Sequence, residues 1–169
     1  MHRYLIGLGS NQPHHRHGQP RSVLGAALRE LSQLGTVRAA SPVVMTAPLG
    51  PSLRRYANAV AMLETRLDPP ALLAALKRIE RAFGRRARGQ RWRARVLDLD
   101  LVLWSGGAYA GPGLAIPHAH LRARAFVLGP AQAIAPDWRD PMTGLTMRQL
   151  HARLTRPRPL PKAPAWRGP

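Results

Sequence analysis

Asp98-Leu99-Asp100 stands inside the apolar run VLDLDLVLW, and two carboxylates at that spacing are the residues best suited to chemistry in this chain. Strict alternation predicts a strand over 96–104. Side chains alternate across a strand, so both acids project from one face while Leu97, Leu99, Leu101 and Leu103 project from the other. Their Cα atoms should lie about 6.7 Å apart. With the charges about 5 Å apart, mutual repulsion at an effective dielectric near 20 is roughly 3 kcal/mol. A cation must offset it. Paired hard oxygens suit Mg²⁺ shared between protein and substrate phosphates. Salt bridges to neighbouring arginines are the plainer alternative.

The context favours a phosphate. Six arginines fall between Gly84 and Arg95, immediately before this strand. A metal–phosphate site needs acids for the cation and guanidinium forks for the phosphate oxygens. Two glycine-based phosphate loops are excluded. GLGSNQ has Gln12 where a dinucleotide fingerprint needs its third glycine, and no G-x-x-x-x-G-K-[ST] occurs.

The elements that must position these groups follow from periodicity. RYLIGLG (3–9) reads as a central strand, and residues 36–46 and 57–67 as two more. Apolar residues at three- and four-residue spacing predict a helix over 21–34, stopped by Gly35. Pro69-Pro70 open a second helix carrying Leu72, Leu76, Ile79, Glu80 and Phe83. The runs 126–134 and 146–154 read as two further helices. APLGPSLRRY (47–56) is a loop, as is the stretch holding His14, His15 and His17, which resembles a metal tract only superficially. One domain over 1–154 is expected, with a flexible, basic, Pro-rich tail over 155–169.

Composition bounds the rest. The 169 residues contain no cysteine, which removes disulfides, thiolate metal sites and a Cys nucleophile. No apolar run approaches the roughly 20 residues of a membrane span. The net charge is +18, and 24 of the 26 basic residues are Arg. Such a surface seeks polyanions, whether nucleic acid or a small phosphorylated ligand. Arginine usage from a compositionally biased genome accounts for it equally.

Taken in order, YLIGLGSN, SPVVMTAPLGP, YANAV, IERAFGR, RWRARVLDLDLVLW, IPHAHLRARAFVLGP and AIAPDW span residues 4–138. In this combination the chain resembles the 6-hydroxymethyl-7,8-dihydropterin pyrophosphokinases of folate biosynthesis. The resemblance implies transfer of the β,γ-pyrophosphoryl group of ATP to the pterin hydroxymethyl oxygen, with release of AMP. It implies an α+β fold with a ferredoxin-like, antiparallel-rich sheet covered by helices. Asp98 and Asp100 would bind two Mg²⁺ ions, and Arg85 and Arg95 would contact phosphates and support catalysis. The nucleotide side would comprise Lys77, Glu80, Arg88, Arg91, Trp92, Leu101, Leu114, His118 and Arg124. The pterin pocket would comprise Thr46, Pro48, Leu49, Tyr56, Asn58, Trp92 and Phe126. Structural alternatives stand beside three of these: a salt bridge for Glu80, a strand-to-loop tie for Asn58 and core packing for Phe126. The Arg-rich loop is expected to close over the site.

Several positions depart from the usual family pattern: Ala47, Lys77, Arg93, Ala94 and Ala119. None removes a carboxylate or a key arginine. The expected protein is a cytoplasmic monomer acting on ATP and a pterin, with no specific nucleic-acid or membrane partner. Two other readings remain open at this point: a paralogous Mg-ATP pyrophosphokinase acting on another pterin-like alcohol, and a basic nucleic-acid-binding module.

Overall fold

The computed structural model describes residues 1–47, 54–84 and 96–157. Four strands form the spine of an antiparallel sheet: β1 (His2–Ser10), β2 (Thr36–Ala40), β4 (Tyr56–Thr65) and β5 (Asp98–Trp104), in the order β2-β4-β1-β5. The short β3 (Val44–Thr46) also pairs with β4. Helices α1 (Pro20–Leu31) and α2 (Pro69–Ala82) cover one face, and α3 (Ala125–Ile134) and α4 (Met147–Thr155) cover part of the other. This is the expected α+β arrangement, and β1 is central as its low polarity required.

Alternation along the strands divides two cores. Tyr4, Ile6 and Leu8 of β1, Ala57, Ala59, Ala61 and Leu63 of β4, and Leu99 and Leu101 of β5 pack under α1 and α2. Leu5, Val60, Val102 and Leu103 pack under α3 and α4. Leu103 thus corrects the simple alternation. Leu5 pairs with Leu103 and Ile6 with Leu101, so β5 carries one extra residue at Val102. This bulge turns Leu103 onto the same side as the two acids.

The expected strand over 36–46 is instead two, because Pro42 has no N–H for a ladder. Ser41 bridges the gap: its N–H donates to the Val60 carbonyl (2.9 Å), and its Oγ accepts the Val60 N–H (3.0 Å). A small hairpin, β6 (Tyr109–Gly111) with β7 (Leu114–Ile116), follows β5 and was not foreseen. Helix α1 ends at Leu31 rather than at residue 34, and the chain then turns tightly. Gly35 passes so close to the Glu64 carbonyl and Thr65 that any Cβ there would collide.

Helix α2 starts where Asp68 Oδ1 accepts the Ala71 N–H (2.9 Å), with Pro69 and Pro70 in its first turn. It ends at Phe83 and at Gly84, whose φ of 90° favours glycine. Helix α4 opens on a capping box between Thr146 and Gln149.

Candidate active site

The face carrying α3 and α4 is only half covered, and the bare half is the site. Leu5, Val60, Val102 and Leu103 lie under the helices, while Gly7, Gly9, Asn58, Asp98 and Asp100 face a cleft of about 560 Å³. Register explains its shape. Gly9 pairs with Asn58 on one side and Asp98 on the other, and Gly7 pairs with Val60 and Asp100. The central strand therefore offers no side chain on this face at either rung. It forms a floor between Asn58 and Asp98, whose strands lie about 10 Å apart at the usual inter-strand spacing. A Cβ at Gly9 would sit 3.7 Å from Asn58 Oδ1 and 4.0 Å from Asp98 Cβ, inside the space a ligand would use. The sequence holds this signal in G-x-G on a strand, a spacing that points both glycines to one face.

One end of the cleft is suited to a flat polar ring. Thr46, Tyr56, Asn58 and Phe126 line it. Asn58 Nδ2 donates to Thr46 Oγ1 (2.9 Å), so the amide does tie β4 to β3 while its oxygen lies over Gly9. Phe126 is half-buried beside the Arg124 guanidinium, 5.7 Å from its ring centroid, rather than packed in the core under α3.

The other end carries charge. Asp100 Oδ2 lies 3.6 Å from Arg124 Nη1 and 3.7 Å from His118 Nε2. These contacts are within ion-pair range and beyond hydrogen-bond distance, so Asp100 is not locked into a bidentate salt bridge. Its side chain keeps 34% of its exposure, which leaves it reachable. His118 is held by its backbone N–H on the Val102 carbonyl (3.0 Å), and its Nδ1 accepts the His120 N–H (3.1 Å). The neutral ring must then carry its proton on Nε2, the nitrogen facing Asp100. Burial holds the His118 imidazole below its usual range; Arg124 and His120 push the same way, and Asp100 and Asp98 oppose them.

An ion pair between the half-exposed Arg122 and the buried Asp140 braces this wall. Arg122 Nε and Nη2 donate to Asp140 Oδ2 and Oδ1 at 2.7 and 2.8 Å. Thr143 Oγ1 and the Met142 N–H complete the acid's shell. Desolvation raises the Asp140 pKa, but the Arg122, Thr143 and Met142 hydrogen bonds outweigh it and hold the carboxyl below its usual value. The bridge fixes the 3₁₀ turn Leu121–Ala123, from which Arg124 projects.

Other expected site residues lie elsewhere. Leu101 has its side chain in the core beneath α1 and α2, which corrects any side-chain contact in the cleft. Leu114 packs against the same core from β7. Glu80 is fully buried on α2; it accepts the Leu99 N–H at 2.8 Å and pairs with Lys77 Nζ at 3.0 Å. These four residues sit on the opposite side of β5, so a ligand touching them as well as the cleft must lap round that edge strand. Pro48, Leu49, Arg85, Arg88, Arg91, Trp92 and Arg95 lie outside the described residues, as do the closing loop and the tail beyond residue 157. The His14 ring packs against those of His15 and His17, and His14 and His17 pack against Phe83. Among the described residues no group of three or more His, Asp or Glu converges to hold a metal.

The model of the 7,8-dihydro-6-hydroxymethylpterin-pyrophosphokinase family matches residues 5–136. The chain belongs to this family. A 2-amino-4-hydroxy-6-hydroxymethyldihydropteridine pyrophosphokinase of Pseudomonas aeruginosa is 42% identical over 144 residues, covering 83% of this chain and 85% of that protein. Its namesake in Haemophilus influenzae is 41% identical over 135 residues, covering 78% and 81%. A crystal structure described as HPPK-DHPS in complex with substrates superposes with a TM-score of 0.71 at 12% identity. It covers 90% of this chain, which in turn spans 44% of that longer chain. At that identity the likeness speaks for the fold. The family match covers both the glycine floor and the two carboxylates of the cleft.

Proposed function

We propose that this cleft transfers the pyrophosphoryl group of ATP to the hydroxymethyl oxygen of 6-hydroxymethyl-7,8-dihydropterin. The observation that carries this reading is the floor of Gly7 and Gly9, with Asp98 and Asp100 at one side and Asn58 at the other. Tyr56, Asn58, Thr46 and Phe126 give the pterin an amide partner and aromatic faces. Arg124 and His118 take phosphate oxygens beside Asp100.

The donor set fits Mg²⁺. Among the described residues no third His, Asp or Glu joins the two carboxylates, and such a pair suits a hard cation that keeps other positions for water and phosphate oxygens. Asp98 and Asp100 would hold the ion, which when bound would neutralise charge on the phosphate oxygens and favour ionisation of a nearby hydroxyl. Two ions are the expected number.

The chain's own residues align the reactants. The pterin hydroxymethyl oxygen attacks the β-phosphorus as the bond from that phosphorus to the α–β bridging oxygen breaks. AMP leaves with that oxygen, and the hydroxyl proton passes to solvent. Arg124 counters charge on the transferring group, and Asn58 with Phe126 holds the acceptor in line. Such transfer asks for alignment and charge stabilisation more than for a strong base. Arg85 and Arg95 supply further guanidinium groups, and Arg88, Arg91 and Trp92 cover the reactants. Pro48 and Leu49 complete the pterin end, and Lys77 and Leu114 border the nucleoside, with the buried Glu80 holding the Leu99 N–H behind the two acids. The enzyme works as a cytoplasmic monomer, with residues 1–154 as the catalytic domain and 155–169 as a basic tail.

Mass spectrometry of a mixture of protein, ATP, Mg²⁺ and the reduced pterin alcohol tests the reading. AMP and the pterin diphosphate should form in equal amounts. AMP formed only with a different alcohol would reassign the acceptor, and ADP as the nucleotide product would overturn the reaction.

A further inference from the structure

The cleft holds a second imidazole to which the sequence assigned no role. His120 lines it, with its ring centroid 5.8 Å from that of His118. The contacts run in order from the flat-ring end: Phe126 to Arg124, Arg124 to Asp100, Asp100 to His118, and His118 to His120. His120 therefore joins the charged half through His118. Its backbone is fixed, since its N–H donates to His118 Nδ1 and its carbonyl accepts the Ala123 N–H (3.1 Å). Among the described residues no carboxylate pairs with its ring, and the residue is exposed at the mouth.

We infer that His120 binds a phosphate oxygen of the nucleotide, beyond the oxygens taken by His118 and Arg124. The inference rests on the reading of the cleft as a nucleotide site. An imidazole exposed at the mouth of the cleft, preorganised by its backbone and placed next to His118 in the half that carries Arg124, donates an N–H to an anionic oxygen. The Asp98–Asp100 side of the cleft repels such an anion, and His120 adds an N–H donor to those of Arg124 and His118 in holding it. Its contribution falls on nucleotide binding, because its ring neighbour is His118 in the charged half of the cleft.

The test uses His120→Ala and His120→Gln in the full chain. In His120→Ala the KM for ATP should rise about tenfold, the effect of losing one charge-assisted hydrogen bond. The kcat and the KM for the pterin should stay within about twofold. His120→Gln, which keeps an N–H donor, should recover part of the loss. A structural role would move the two KM values and the melting temperature together. In parallel, the wild-type protein with ¹³C-labelled histidine is titrated with α,β-methylene-ATP, which cannot release AMP. The His120 ring signal should shift on saturation, and the shift should be absent when the pterin alone is added. An unmoved His120 signal, or an unchanged KM for ATP in His120→Ala, overturns the inference. If the wild-type protein forms no AMP, the proposed reaction fails by itself, and the analogue titration still decides whether His120 binds the phosphate chain.

Discussion

Glu80 allows the positioning of the two carboxylates to be tested apart from their chemistry. Its side chain is fully buried and accepts the backbone N–H of Leu99, the residue between Asp98 and Asp100, at 2.8 Å. Glu80→Ala leaves that N–H buried on an inward-facing stretch of β5. A hydrogen bond to a charged acceptor is worth about 1.5–3 kcal/mol. The Lys77 partner is 38% exposed, so its pairing adds less than about 1 kcal/mol. The expected loss is about 2–4 kcal/mol, or roughly 5–12 °C in melting temperature for a domain of this size. Because the lost bond fixes the peptide joining the two acids, kcat should fall at least about tenfold, as small misplacements do. Glu80→Gln keeps an oxygen for Leu99 and should retain most of the melting temperature and activity. Thermal denaturation followed by steady-state assays reads both quantities. The reasoning is refuted if Glu80→Ala melts within about 2 °C of the wild type. It is equally refuted if Glu80→Gln is fully stable yet inactive, which would make the charge itself a nucleotide contact.

Further outcomes follow from the same geometry. Gly9→Ala should fold normally, since the new Cβ meets only ordinary contacts, and should raise the KM for the pterin several-fold by narrowing the floor. A KM unchanged in steady-state kinetics would mean that the acceptor does not lie on this floor. Asp140 has its folded-state pKa held below the usual value, so its contribution to stability is complete above about pH 4. That contribution is lost as pH falls through the lowered value. Asp140→Asn should cost about 2–3 kcal/mol at pH 7 and lose much of this acid dependence, as read from urea midpoints at pH 7 and pH 3. Equal losses at the two pH values would contradict the assignment.

The strands and helices were legible because their apolar periods are clean: VLDLDLVLW alternates, and the α2 stripe from Leu72 to Phe83 keeps helical spacing. The placement of both acids on one face followed from the same rule. The bulge at Val102 was not legible, because it is set by the partner strand's register and leaves no mark in an unbroken apolar run. Leu103 was misassigned for that reason. Pro42 did mark the break in the 36–46 strand, but the small, β-favouring residues around it masked the signal. The hairpin of β6 and β7 has three-residue strands, too short for a period to show. In the charged half of the cleft Asp98 and Asp100 could be named from residue type and spacing, whereas among 26 basic residues and seven histidines only the family resemblance singled out Arg124 and His118. The floor of the cleft could not be named, because a glycine's role there is to leave space between neighbouring strands.

The central claim is that Asp98 and Asp100 hold a divalent ion over the glycine floor. Mn²⁺ substituted for Mg²⁺ in the presence of α,β-methylene-ATP tests it directly, through paramagnetic broadening of backbone amide signals. The amides of Gly7, Gly9, Asp98 and Asp100 should broaden first, and Asp98→Asn with Asp100→Asn should abolish the effect without lowering the melting temperature. Broadening centred on the His14–His17 loop, or persisting undiminished in the double variant, would contradict it.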